Sequence, residues 1–137
     1  MFLLDTNVIS ELRKETRMSG EVKRWVEGAT LSTLFLSAIT ILEVEIGAQR
    51  VARRDRKQGD QLMRWIEGGL MAAFAGRIIP VDIAIARRSA GLHVPDTRPE
   101  RDALIAGTAL VHGMTVVTRN VRDFSKMGVA VFNPFEA

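Results

Sequence analysis

Short apolar runs recur along the chain, each followed by apolar positions three and four residues apart, and this change of period predicts strands that feed helices. Phe2 to Leu4 reads as the first strand; it ends at Asp5, and Val8, Ile9 and Leu12 follow at helical spacing. A polar segment from Glu21 to Glu27 has helical character. Leu34 to Leu36 gives a second strand, closed by Ser37 and followed by a helix from about Thr40. That helix, or a kinked pair, continues through an arginine-rich stretch toward Ala75, with Gly59 and the Gly68-Gly69 pair as the expected weak points. Ile78 to Val81 forms a third strand, and Asp82 is placed to cap the helix after it. Pro95 and Pro99 bracket a loop; Pro99 suits the first turn of a helix that ends at His112, before Gly113. Thr115 to Thr118 and Val129 to Phe132 supply the last two strands, joined through Asn120 to Phe124.

Strands alternating with helices imply an α/β fold, a parallel sheet covered on both faces. No repeat or low-complexity tract interrupts the pattern, and 137 residues suit a single domain over 1–137. Apolar residues make up 47% and charged residues 26%, a composition that excludes a disordered chain. There is no cysteine, so disulfides and thiolate metal sites are excluded, and a metal would be held by oxygen or by His93 and His112. The N-terminal stretch has no basic leader and carries Asp5 among its apolar residues, unlike a signal peptide, and no apolar run nears the ~18 residues that cross a bilayer. A cytoplasmic protein without membrane contact is expected. The net charge is only +3, yet Arg50, Arg53, Arg54, Arg56 and Lys57 cluster, which suits a solvated helix face and also a nucleic-acid or protein partner.

Asp5, Glu43, Asp102 and Asp123 each fall just after a predicted strand or near a helix start. In an open parallel sheet such positions gather along one edge. Each also has a local explanation. Asp5 could cap the helix beginning near Val8. Thr40 and Glu43 have the spacing of a capping box. Asp102 suits the dipole of its helix, and Asp123 could serve a turn opened by Asn120. Those explanations do not account for four acids on one edge. Glu43 and Asp102 share helix faces with apolar neighbours, Ile39 and Ile46 for one, Ile105 and Ala106 for the other, where a merely solvated acid is out of place. Two carboxylates about 5 Å apart repel by roughly 3 kcal/mol at an effective dielectric near 20, so the cluster asks for a divalent cation. His112 is read as a helix-end residue, His93 as loop or helix end, and Trp25 and Trp65 as packing anchors.

The segments LLDTNVISEL, Thr40-x-x-Glu43, DALIAGTALVHGMTVVTRNVRDF and FNPF together resemble PIN-domain ribonuclease toxins of the VapC type with a FitB-like pattern, across essentially the whole chain. The resemblance implies a PIN-like α/β/α sandwich with a five-stranded parallel sheet in the order 3-2-1-4-5. It also implies Mg²⁺- or Mn²⁺-dependent RNA cleavage, homodimerisation, and neutralisation by a cognate antitoxin. Asp5, Glu43, Asp102 and Asp123 match the family's acidic positions, and Thr6, Thr118 and Asn120 match polar positions that orient carboxylates, water or phosphate. Gly107 departs from the alanine common in that helix motif, with looser packing the expected consequence.

Mg²⁺ takes six oxygen ligands and keeps several waters, so a few carboxylates can hold it. Asp5 and Asp102 are the expected direct ligands, Glu43 completes the shell or orients water, and Asp123 binds through water. In-line attack by water would leave a 5′-phosphate and a 3′-hydroxyl. Two rival enzyme and signalling classes lack residues they need: a haloacid-dehalogenase-like phosphatase requires an acid where Asn7 stands, and a receiver module requires a lysine after the last strand, where Asn133 and Pro134 stand. The remaining alternative is a catalytically weak PIN-like domain that binds RNA or protein.

Overall fold

Leu3 and Leu4 are adjacent and both completely buried, which requires a strand covered by protein on each face. In the computed structural model, which describes residues 1–137, this strand is β1 (Phe2–Leu4), the centre of a five-stranded sheet. The other strands are β2 (Leu34–Ser37), β3 (Ile78–Ile79), β4 (Thr115–Val117) and β5 (Val131–Phe132). All pairings are parallel and the order is β3-β2-β1-β4-β5, as the resemblance implied. Phe2 lies opposite Leu34 and Thr115, and Leu4 opposite Val117, so side chains alternate in register across the sheet. Leu3 and Val116 enter one core with Ile105, Ala106 and Phe124. Leu4 and Val117 enter the other with Val8, Ile9, Leu36 and Phe74. Each buried leucine contributes about 1.5–3 kcal/mol through apolar area withdrawn from water.

The helices that cover the sheet are α1 (Thr6–Leu12), α2 (Gly20–Gly28), α3 (Ala38–Arg54), α4 (Arg56–Arg64), α5 (Met71–Ala73), α6 (Ile83–Gly91), α7 (Glu100–His112) and α8 (Val121–Ser125). Several boundaries differ from the sequence reading. α3 begins at Ala38 rather than Thr40, because Ser37 is its N-cap and accepts from the Ile39 N–H at 3.0 Å. The break in the arginine-rich stretch is at Asp55, which ends α3 and caps α4 by accepting from the Gln58 N–H at 3.1 Å. Gly59 is no weak point. A Cβ there would collide with Ala52, so this glycine lets α4 lie directly on α3. The Gly68-Gly69 pair does fall in an irregular turn, a π-helical segment over Trp65–Leu70. β3 stops at Ile79 because Pro80 has no N–H for the ladder. Asp82 caps α6 as expected, accepting from the Ile85 N–H at 2.9 Å, and Gly113 ends α7 with φ of 67°. Trp25 packs edge-on to Phe2, ring centres 5.4 Å apart, and beside Phe132 at 5.6 Å.

Gly107 does the opposite of loosening the core. A methyl group at this position would strike the Ser89 hydroxyl and lie 3.3 Å from the Ile85 carbonyl oxygen, so glycine permits α6 and α7 to approach closely. The Ser89 hydroxyl is buried there without a hydrogen-bond partner. Gly107→Ala is expected to lower stability by about 1–3 kcal/mol through overpacking, with part recovered in a Gly107→Ala/Ser89→Gly double variant. Chemical denaturation of the three proteins checks this; an alanine variant as stable as the parent would contradict the close approach.

Candidate active site

The sheet order reverses direction at β1: the chain builds outward through β2 and β3, then returns to place β4 on β1's other side. At such a switch point the loops after the two central strands diverge and leave a crevice. Asp5 follows β1 immediately, its N–H donating to the Val117 carbonyl at 2.9 Å, and it is only 4% exposed. It is the N-cap of α1, which starts at Thr6. One carboxylate oxygen accepts from the Thr6 N–H at 2.8 Å; the other accepts from the Thr118 hydroxyl at 2.8 Å and from the Asn7 amide at 3.3 Å. No lysine or arginine pairs with it. Burial pushes its pKa up, the hydrogen bonds from Thr118 and Thr6 pull it down, and the charge of Glu43 adds to the upward push.

Glu43 arrives from the second turn of α3. Its Oε1 accepts from the Thr6 hydroxyl at 2.7 Å, and its Oε2 lies 3.7 Å from the Arg101 guanidinium. The Thr40–Glu43 capping box does not form, since Ser37 holds that end of the helix and Thr40 is buried within it, 3.5 Å from the Thr6 hydroxyl. Asp102 stands in the first turn of α7, where burial first, then the charges of Asp5, Glu43 and Asp123, raise its pKa from 3.8 to about 6. Four acids from four separate elements thus share one electrostatic field. Asp123, in the first turn of α8, contributes to that field from outside the cavity wall.

Asp5, Glu43 and Asp102 line a cavity of about 290 Å³ together with Thr6, Asn7, Ser10 and Asn120, and no apolar side chain faces it. Thr118 lies wholly buried beneath, its hydroxyl oxygen accepting from the Asn120 N–H at 2.9 Å and from the Asn7 amide at 3.2 Å while it donates to Asp5. Of the polar residues singled out in the sequence, Thr6 bridges two acids, Asn120 lines the cavity and Thr118 anchors Asp5. Asn120 begins α8 without a side-chain capping bond. Sequence reasoning missed Asn7, Ser10 and Arg101. Asn7 ties both central loops together, because its carbonyl oxygen also accepts from the Arg119 N–H at 3.2 Å. Its position two residues after Asp5 was the available signal; the pairing of Arg101 with Glu43 had none. A second, mainly apolar cavity of about 230 Å³ adjoins the first, sharing Thr6, Ser10 and Glu43 and reaching Leu62 and Trp65.

The donor set is all oxygen, which suits a hard divalent cation. No three carboxylates stand close enough to enclose an ion by themselves, a spacing compatible with an ion that keeps several waters.

A PIN-domain family model matches residues 2–130. Toxin FitB from Neisseria gonorrhoeae is 37% identical over 142 residues, covering 98% of this chain and 99% of that one. The solved structure of FitAcB from the same organism matches with a TM-score of 0.90 at 34% identity, over 100% of both chains. A VapC ribonuclease, Y4jK, from Sinorhizobium fredii is 36% identical over 141 residues, 99% of each chain. A solved toxin-antitoxin complex from Klebsiella pneumoniae has a chain that matches with a TM-score of 0.71 at 28% identity, over 98% of each. No helix here is long and apolar enough to cross a membrane.

The raised pKa of Asp102 sets the sign of a pH effect. Its folded value, about 6, lies above the unfolded 3.8, so between those values the native state binds the extra proton and loses stability as pH rises. The lowered pKa of Glu11, held by Lys14 and the Ser19 N–H, acts only below its ordinary 4.5. Metal-free protein is therefore expected to melt lower at about pH 7 than at about pH 5, and Asp102→Asn to make that slope shallower. Calorimetry on both proteins checks it, and an unchanged slope in the variant would remove Asp102 as its source.

Proposed function

This chain belongs to the PIN-domain family, and on that premise we propose that it is the endoribonuclease toxin of a toxin–antitoxin pair, a single domain working at the acidic crevice with Mg²⁺ or Mn²⁺. The observation that carries the reading is the convergence of Asp5, Glu43, Asp102 and Asp123 from four elements, where burial first and the charges of the other three acids next lift Asp102 to about 6. Asp5 and Asp102 would hold the cation, with Glu43 and Asp123 joining through water. A bound divalent ion supplies charge neutralisation, polarisation of the phosphodiester and acidification of water.

The protein's own groups do the rest. Asp5 cannot rotate away, because Thr6, Asn7 and Thr118 hold both of its oxygens. Thr6 also fixes Glu43, so one residue ties the two carboxylates together, its N–H bonded to Asp5 and its hydroxyl to Glu43. Glu43 in this frame accepts a hydrogen bond from the attacking water and aims it in line with the leaving oxygen. The same Glu43 carboxylate takes the proton that the water loses. Asn120 offers a hydrogen bond to the phosphate, while Arg101 beside Glu43 provides positive charge at the rim. The products are a 5′-phosphate and a 3′-hydroxyl. A cognate antitoxin would block this crevice, in keeping with the toxin-antitoxin complex among the structural matches. A homodimer in the cytoplasm is the expected working form.

Cleavage of a labelled RNA by purified protein tests the proposal. Activity is expected with Mg²⁺ or Mn²⁺ and none with chelator. Asp102→Asn and Glu43→Gln are each expected to slow cleavage by about 10²-fold or more while circular dichroism stays native. Full turnover after metal stripping, or wild-type turnover in either variant, would overturn the corresponding assignment.

A further inference from the structure

An acidic crevice repels the polyanion it is to cut, so the affinity for RNA must come from positive charge elsewhere on the surface. α3 carries such charge in a particular relation to the site. Glu43, Gly47, Arg50 and Arg54 stand at i, i+4, i+7 and i+11, which puts them in one stripe along a single helix face. At 1.5 Å per residue, Arg50 and Arg54 lie about 10 and 16 Å along the axis from Glu43. Both are exposed, neither makes an ion pair, and Arg53 lies exposed beside them.

Gly47 is a separate observation on the same stripe. Glycine inside a helix costs about 1 kcal/mol relative to alanine. A close neighbour usually explains it, as at Gly59, but nothing lies within 4 Å of where a Cβ on Gly47 would be. The packing of this chain does not call for a glycine here. What it does is keep the helix surface low between the carboxylate of Glu43 and the first guanidinium of the stripe.

We propose that the Glu43–Gly47–Arg50–Arg54 face of α3 is the track along which a single RNA strand leaves the acidic crevice, its backbone lying over Gly47 and its phosphates paired with Arg50 and Arg54. This rests on the ribonuclease reading above. Arginine forks suit phosphate oxygens, and pairings of this kind hold the strand without reading its bases. The helix dipole gives Arg54, in the last turn, a second reason to be basic, but Arg50 lies too far from the helix end for that.

Binding of a fluorescein-labelled single-stranded RNA oligonucleotide, measured by anisotropy across a range of salt concentrations, tests the track separately from cleavage. All proteins carry Asp102→Asn so that the probe stays intact. Arg50→Gln/Arg54→Gln is expected to weaken binding about tenfold or more and to lower the salt slope by about 1.4, since each phosphate left without its arginine takes away about 0.7. Arg87→Gln/Arg88→Gln, exposed on α6, changes net charge equally and is expected to bind as the parent does. Gly47→Gln is expected to raise the melting temperature while weakening RNA binding. Equal weakening in the two arginine pairs would reduce the effect to net charge and overturn the track. Parental affinity and salt slope in the Arg50/Arg54 variant would overturn it too, including the case where that variant fails only to bind the antitoxin. Absence of RNA binding by the parent would instead overturn the ribonuclease reading, and the track with it.

Discussion

A carboxylate that is 4% exposed and has no cationic partner in its own chain is the constraint around which this molecule is arranged. Asp5 sits at the carboxyl end of the central strand, where its two oxygens take hydrogen bonds from a backbone N–H, a hydroxyl and an amide. Those neutral donors offset the loss of water around the charge, but they do not cancel the charge itself. Glu43 and Asp102 then add to it. A structural carboxylate at a helix start would normally be left in solvent or matched with arginine; here the only nearby pair is Arg101 with Glu43, at 3.7 Å and partly exposed, where screening makes it weak. The excess negative charge is therefore left uncompensated within the chain, and it is what the proposed cation would neutralise.

The rest of the architecture holds that arrangement still. Leu3 and Leu4 fix β1 between two cores, and β4 beside it delivers Thr118 beneath Asp5. Asn7 links the loops after both strands, so neither can shift without breaking its bonds to Asp5, Thr118 and the Arg119 N–H. Gly107 lets α7, which carries Asp102 in its first turn, pack closely against α6.

The alternation of strands and helices was legible because parallel strands covered on both faces are short apolar runs, and the acids at their carboxyl ends were legible for the same topological reason. What escaped the sequence depends on packing between distant residues. The helix break fell at Asp55 rather than at Gly59 because the glycine answers to Ala52 across the hairpin, not to its own neighbours. Thr40 and Glu43 have capping-box spacing, yet Ser37 begins the helix earlier and frees Glu43 to meet Thr6, 37 residues away. Arg101 meets Glu43 only once α3 and α7 are assembled, so no local pattern marks it, and Asn7 meets Thr118 and the Arg119 N–H only once β1 and β4 pair, its place two residues after Asp5 being the one local sign.

The claim that the crevice carries uncompensated charge is tested most directly at Asp102, whose carboxylate makes no hydrogen bond within the protein that its substitution would break. Thermal melts of wild type and Asp102→Asn near neutral pH, each with chelator and with Mg²⁺, give the answer. The metal-free variant is expected to melt higher than metal-free wild type, since one repelling charge is gone, and Mg²⁺ should raise the wild type more than the variant. A variant that melts lower without metal and responds to Mg²⁺ as the wild type does would contradict the account.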